Sequence, residues 1–537
     1  MNSIWLIIFS IIAFIIAYAT YGAWLAKHWG LDATKKTPAH TMNDGVDYVP
    51  AKAPVLLGHH FSSIAGAGPI VGPIGAAMFG WLPVMLWIVI GSIFFGGVHD
   101  MGSLFASVRH GGRSIGDVIG HTMGSKGKKL FALFAWLTLI LVVAAFTNIV
   151  ASAFVSTPEA ATSSILFIAL AILFGVGVYR RGVSLAVGTV IGVILLAVAV
   201  WVGVLFPISL SINTWMIILI GYIFVASVTP VWILLQPRDY LNSFLLYAML
   251  AGGIIGLFVM RPEIQLPAYT SFKVGSNYLF PILFITIACG AISGFHSLVG
   301  SGTTAKQLDT EADIKLVGYG AMLIEGVLAT LAIITAAYLS ADKLAEVTAA
   351  GGALNVFADG IGTFMGSMGF PQLVAKNFVT LAISAFALTS LDTATRLARF
   401  IFQEFFTSDK EGAASNGFTN TLTNKYVSTL ITVIIGGTLA FRGYQLVWPI
   451  FGSANQLLAA LALLALALWL KRTGRQYKMA VYPMVFMFIA TLVALVLLMM
   501  ANLANPILLV FAVALFILAI VLILESRAAF ASTEELD

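Results

Sequence analysis

Apolar runs of about 20 residues recur along the whole chain, each separated from the next by a short polar or charged connection. As a helix rising 1.5 Å per residue, such a run covers a hydrocarbon layer of about 30 Å, and no segment shows the ten-residue alternation of barrel strands. The pattern predicts helices near 3–26, 58–78, 83–106, 130–153, 163–179, 183–206, 213–236, 240–260, 278–299, 316–340, 372–400, 426–441, 445–470, 480–501 and 506–525. The expected class is an all-α polytopic membrane protein with about 15 transmembrane helices. The longest connections, 27–57, 341–371 and 401–425, are too short for a soluble domain. The glycine-rich stretch 351–370 reads as a short helix across the outer face or as an ordinary connection.

Composition agrees: of 537 residues, 60% are hydrophobic and 9% charged, and mean hydropathy is +0.99. The first run, Ser3 to Ala26, has no Lys or Arg before it and exceeds a signal-peptide core, so a retained helix is expected. Cys289, the single cysteine, excludes an internal disulfide and a multi-cysteine metal site. The net charge of +5 reads as a topology signal, without the interleaved aromatics of a nucleic-acid surface. With the N-terminus outside, one set of connections holds every basic residue except Arg261, Lys273, Lys343, Lys376 and Arg442. The positive-inside rule then places the C-terminus in the cytoplasm.

Two apolar runs carry helix breakers. GHHFSSIAGAGPIVGPIGAAMFG, 58–80, has six glycines and two prolines, and ASVTPVWILLQPRDYLN, 226–242, has Pro230 and Pro237. Inside lipid a broken helix survives only where protein or a cavity satisfies the freed backbone. Spacing of the following helices suggests two inverted five-helix repeats, 58–212 and 213–400, each beginning with a discontinuous helix. Residues 1–57 then add an N-terminal helix and loop, and 401–537 a loop and four C-terminal helices.

An unwound backbone around Ala65 to Gly68 would offer amide hydrogens to a carboxylate and carbonyls to a small cation. Gly68 and Gly72 are equally spaced for helix packing. The expected substrate wall is Ser62, Ser63, Ala65, Gly66 and Gly68 on the first break, with Thr229, Trp232 and Gln236 on the second. Glu325 lies in mid-span and is a coupling candidate, or a protonated packing residue. His60 is a further proton candidate, and His59 and His60, as neighbours on a helix, cannot chelate one metal. Ser293, His296 and Ser297, on adjacent turns of CGAISGFHSLVGSGTTAKQLD, mark an alternative cation site. Asp392 can pair with Arg396 along one helix face as a latch, or carry a proton. No HExxH, phosphate-loop or GxSxG spacing occurs, so no metal, no cofactor, no ATPase subunit and no enzyme activity are expected.

GHHFSSIAGAGPIVGP, PVWILLQPRDYLNSF, CGAISGFHSLVGSGTTAKQ, TSLDTATRLARF and WPIFGSANQLLAA, spread over 55–460, resemble the carbon starvation protein A (CstA) family of bacterial inner-membrane transporters. The resemblance implies the amino acid, polyamine and organocation superfamily, a LeuT-like core, and uptake of peptides or pyruvate with protons. It implies alternating access and a stress-response role under nutrient limitation. A channel and a sodium-coupled symporter are the alternatives; polar residues clustered at helix breaks speak against a channel's pore-lining pattern. The expected partners are a small substrate and membrane lipid.

Overall fold

In a computed structural model, residues 1–406, 417–442, 444–503 and 505–531 are described. Lys410, one of the basic residues assigned above to the cytoplasmic set, lies outside them. Its principal helices are α1 (Ile4–Trp29), α2 (Ala53–Ile64), α3 (Gly68–Phe79), α4 (Trp81–Arg109), α5 (Ile115–Ser156), α6 (Pro158–Arg180) and α7 (Leu185–Leu205). There follow α8 (Ile212–Val228), α9 (Leu235–Met260), α10 (Leu279–Thr286), α11 (Gly294–Gly302), α12 (Glu311–Ala337) and α13 (Ala341–Gly366). The last five are α14 (Gln372–Phe406), α15 (Lys425–Ala440), α16 (Tyr444–Arg472), α17 (Lys478–Ala501) and α18 (Pro506–Ala531). Among the described residues, eleven helices are long and apolar enough to cross a membrane, or twelve with α2 and α3 taken as one bent span. The molecule is a multi-pass membrane protein.

Local chemistry sets several boundaries. Ser184, Ser211, Ser340 and Asn424 cap α7, α8, α13 and α15 by accepting a first-turn amide hydrogen. Gly124, at φ +79°, kinks α5. Stretch 351–370 is mostly helical, because α13 runs through it after a kink at Gly351 and Gly352. At the centre α16 is buried along its whole apolar length, its alternating Ala and Leu letting neighbours close in, while α7 is mostly exposed. Against α16 pack α5 and α17, and α14 lies along α5.

The connections fall into two groups, one at each end of the bundle. At one end Ser3 Oγ donates to Pro262 O at 2.7 Å, and Trp81 N to Pro267 O at 3.3 Å. Leu266 N donates to Ala337 O there as well. At the other end Ala51 N donates to Gln307 O, Arg109 pairs with Glu311 at 2.9 Å, and Arg475 Nε donates to Trp29 O.

Candidate functional site

Two helix breaks face each other in the buried interior. The first, residues 65–67, separates α2 from α3, which bend by 44°. Its facing partner, residues 287–293, separates α10 from α11. A Cβ placed on Gly68 would stand 2.4 Å from Cys289 Sγ, and one on Gly72 would stand 2.6 Å from Thr286 O. Only glycine allows that approach.

The second break is therefore not the one expected at Pro230 and Pro237. Residues 229–234 form a turn joining α8 to α9, and Pro237 sits in the first turn of α9, where a missing amide hydrogen costs no helical bond. Thr229 and Trp232 accordingly lie at the end of the bundle. Trp232 Nε1 donates to Gly45 O at 3.1 Å, its ring carries Arg180, and Thr229 O accepts from Arg396. Neither is brought to the break.

Backbone groups freed by the breaks are only partly satisfied. At the first, Ala65 N donates to Phe61 O and Gly66 N to Ile64 O, both at 2.9 Å. Ser390 Oγ donates to Ser63 O at 2.8 Å, and Ser63 Oγ meets Thr393 Oγ1 at 3.2 Å. Ala67 and Gly68 are buried, yet neither amide has a hydrogen-bond partner among the described residues. At the second, Asn455 Oδ1 accepts from Phe295 N at 2.8 Å, its Nδ2 donates to Ser293 Oγ at 3.0 Å, and Gln456 Nε2 donates to Phe284 O at 3.1 Å. Two neighbouring side chains of α16 thus cap α11 and hold the end of α10. A buried Asn-Gln pair inside an apolar run was the available signal for them.

Beside the breaks lies a titratable cluster. His296 Nδ1 donates to Asp100 Oδ2 at 2.9 Å and His99 Nδ1 to Asp100 Oδ1 at 2.7 Å. On its other side His296 Nε2 is 3.4 Å from Glu325 Oε2, and neither Glu325 oxygen has a hydrogen-bond partner. All four residues are almost wholly buried. Because the Asp100 carboxylate fixes hydrogen on Nδ1, Nε2 is left facing the Glu325 carboxyl, an arrangement that can hold one proton between them. His60 Nδ1 meets Thr304 Oγ1 at 2.8 Å, and its Nε2 has no partner. Ser297 Oγ donates to Gly294 O of its own helix. Asp100 and His99 escaped sequence reasoning, although an acid within an apolar run was the signal.

Asp392 and Gln236 belong to a third group, around α9. Asp392 Oδ2 accepts from Tyr222 Oη at 2.6 Å and pairs with Arg238. The expected Asp392–Arg396 pair does not form, because Arg396 turns to Asp47 at 2.8 Å and to the carbonyl of Ala226. Gln236 Nε2 donates to Gln307 Oε1 at 3.0 Å, and Ser62 Oγ to Asp239 O at 3.1 Å. His59 is fully buried here.

A profile described as carbon starvation protein CstA matches residues 2–352 and 340–494. The chain belongs to the CstA family. Among CstA relatives, the protein named peptide transporter CstA of Escherichia coli (strain K12) is 34% identical, with 92% of this chain and 80% of that protein covered. Its namesake in Bacillus subtilis (strain 168) is 34% identical, covering 86% and 84%. The pyruvate/proton symporter BtsT of Escherichia coli (strain K12) is 32% identical, covering 92% and 81%. A solved manganese transporter from Eremococcus coleocola shares the fold with a TM-score of 0.53 at 13% identity, over 91% of this CstA-family chain and 99% of that one.

Proposed function

We propose that this CstA-family membrane transporter is a secondary active importer of small carboxylate-bearing nutrients, peptides or pyruvate, working by alternating access. The single observation behind this reading is the facing pair of breaks, with the amides of Ala67 and Gly68 buried and unpartnered at the start of α3. A buried donor without a partner costs about 1–3 kcal/mol, and a substrate carboxylate arriving there would relieve two at once. Names of relatives, a peptide transporter and a pyruvate/proton symporter, supply the substrate classes.

Glu325 and His296 carry the coupling proton in this reading, with Asp100 orienting the imidazole. Ser293 and Ser297 are already engaged by Asn455 and Gly294, which weighs against a sodium site built on them. The core is a LeuT-like pair of inverted repeats, the first starting at α2 and the second at α10 rather than at 213. Adding the bent pair, the shorter α8 and α15 and the broken pair α10–α11 to the eleven long helices brings the crossings to fifteen. Charge asymmetry orients the N-terminus outward and the C-terminus inward in the cytoplasmic membrane.

The test is uptake into proteoliposomes of labelled pyruvate and dipeptides under imposed proton or sodium gradients. Accumulation under a proton gradient and saturable counterflow are expected. Glu325→Gln abolishes accumulation and leaves exchange intact; unchanged accumulation removes Glu325 from the coupling step.

A further inference from the structure

His59, on the last two turns of α2, sits in a buried charge network that coupling at Glu325 does not use. Its Nδ1 donates to Asp239 Oδ2 at 2.8 Å. Asp239 Oδ1 also accepts from Arg238 Nη2 at 2.7 Å and from Thr389 Oγ1 at 3.0 Å, while Arg238 Nη1 pairs with Asp392. Asp392 Oδ1 has no partner. With a neutral imidazole, one guanidinium bonds directly to two carboxylates, and the next cation, Arg396, is shared with Asp47. An imidazolium at His59 gives each of the two carboxylates a directly bonded cation of its own, His59 for Asp239 and Arg238 for Asp392.

The far side of the ring is built for either state. Gln307 Nε2 lies 3.3 Å from His59 Nε2, and Gln236 Nε2 donates to Gln307 Oε1, which leaves Gln236 Oε1 buried without a partner. That arrangement serves a neutral ring accepting at Nε2. If both amides turn over, Gln307 Oε1 accepts from a protonated Nε2 and Gln307 Nε2 donates to Gln236 Oε1. Turning Gln307 also gives up its bond to Thr303 O, and Gln236 then buries an unpartnered amide nitrogen in place of the oxygen, so what the charged state gains is a second charge-assisted bond on the ring, from Nε2 to Gln307 Oε1.

The groups around His59 are Arg238 and Asp239 from α9, Asp392 and beyond it Arg396 from α14, Tyr222 from α8 and Gln307 from the segment after α11. Its neighbour His60 turns toward Thr304 and the Asp100–His296 cluster on α4 and α11, with Glu325 of α12 beyond. We propose that His59 is a second proton-binding site, and that the charged ring fastens α2 to α9 and α14. Deprotonation loosens that half-helix, so the end of the molecule holding the 27–57 connection opens independently of Glu325.

The experiment follows ring ¹⁵N chemical shifts of histidine and amide hydrogen exchange over 53–64 in nanodiscs, from about pH 5 to about pH 9, where an imidazole changes charge. One ring absent from His59→Gln spectra is expected to change charge. Protection of 53–64, corrected for intrinsic exchange chemistry, is expected to fall about tenfold as pH rises, the effect of losing one charge-assisted hydrogen bond. Both responses should persist in Glu325→Gln, whatever that variant does to coupling. A His59 ring that keeps one charge state overturns the proposal, as does a pH response that vanishes with Glu325. Should His59→Gln fail to fold, pH-independent protection of 53–64 in the wild-type protein overturns it equally.

Discussion

Asn455 Oδ1 accepts the amide hydrogen of Phe295 at 2.8 Å, so a side chain of α16 supplies the cap that α11 lacks in its own sequence. Without it, the first turn of α11 would point an unsatisfied donor into the protein interior. Asn455→Leu is expected to destabilise the fold by about 1–3 kcal/mol, the penalty for a buried donor left without an acceptor. Thermal unfolding in detergent measures the loss, and an unchanged midpoint would show that another group takes over the cap.

Gly68→Ala is expected to abolish uptake, because its new Cβ would stand 2.4 Å from Cys289 Sγ and 2.6 Å from Cys289 Cβ. Cys289→Gly in the same chain removes both atoms, and the next nearest is Cys289 Cα at 3.9 Å. Recovery of pyruvate or dipeptide uptake in the double variant is the check. Failure to recover would place the damage elsewhere than this contact.

Asp100→Asn takes the carboxylate from both His99 and His296 and releases the ring that faces Glu325. The ratio of gradient-driven accumulation to counterflow is expected to fall, and Asp100→Glu to restore part of it. A purely structural role would lower both activities together.

Removing Arg238 leaves Asp239 and Asp392 buried without their shared cation. Arg238→Leu is expected to cost about 3–5 kcal/mol, and Asp392→Asn less, since Arg238 keeps Asp239. Comparing the two unfolding midpoints measures the difference.

Trp232→Ala is expected to leave KM for substrate unchanged. The indole stacks under Arg180 at 4.5 Å and bonds Gly45 at the end of the bundle, far from either break. A raised KM would return this residue to the binding site.

Much of the architecture was legible because burial in lipid imposes long apolar runs separated by short polar connections. The first break was legible as well, since glycines and prolines crowd one run. The second was misplaced because proline is a conspicuous signal and a context-dependent one. In the first turn of α9 Pro237 is harmless, whereas 287–293 unwinds with no proline at all, held by Asn455 and Gln456 from a helix some 160 residues later. Glu325 and His296 were visible as polar residues in apolar runs, but their meeting depends on α11 and α12 both packing against α4. Asp392 and Arg396 have the spacing of a helical pair, yet each finds a stronger partner across the bundle. Sequence spacing describes neighbours within one helix, and this interior is organised between helices.

Cys289, the sole sulfhydryl of the chain, sits where the two unwound segments touch. Native protein therefore carries an intrinsic reporter: a membrane-permeant maleimide should react only while the passage gapes, and its alkylation rate would time the opening without any engineered label.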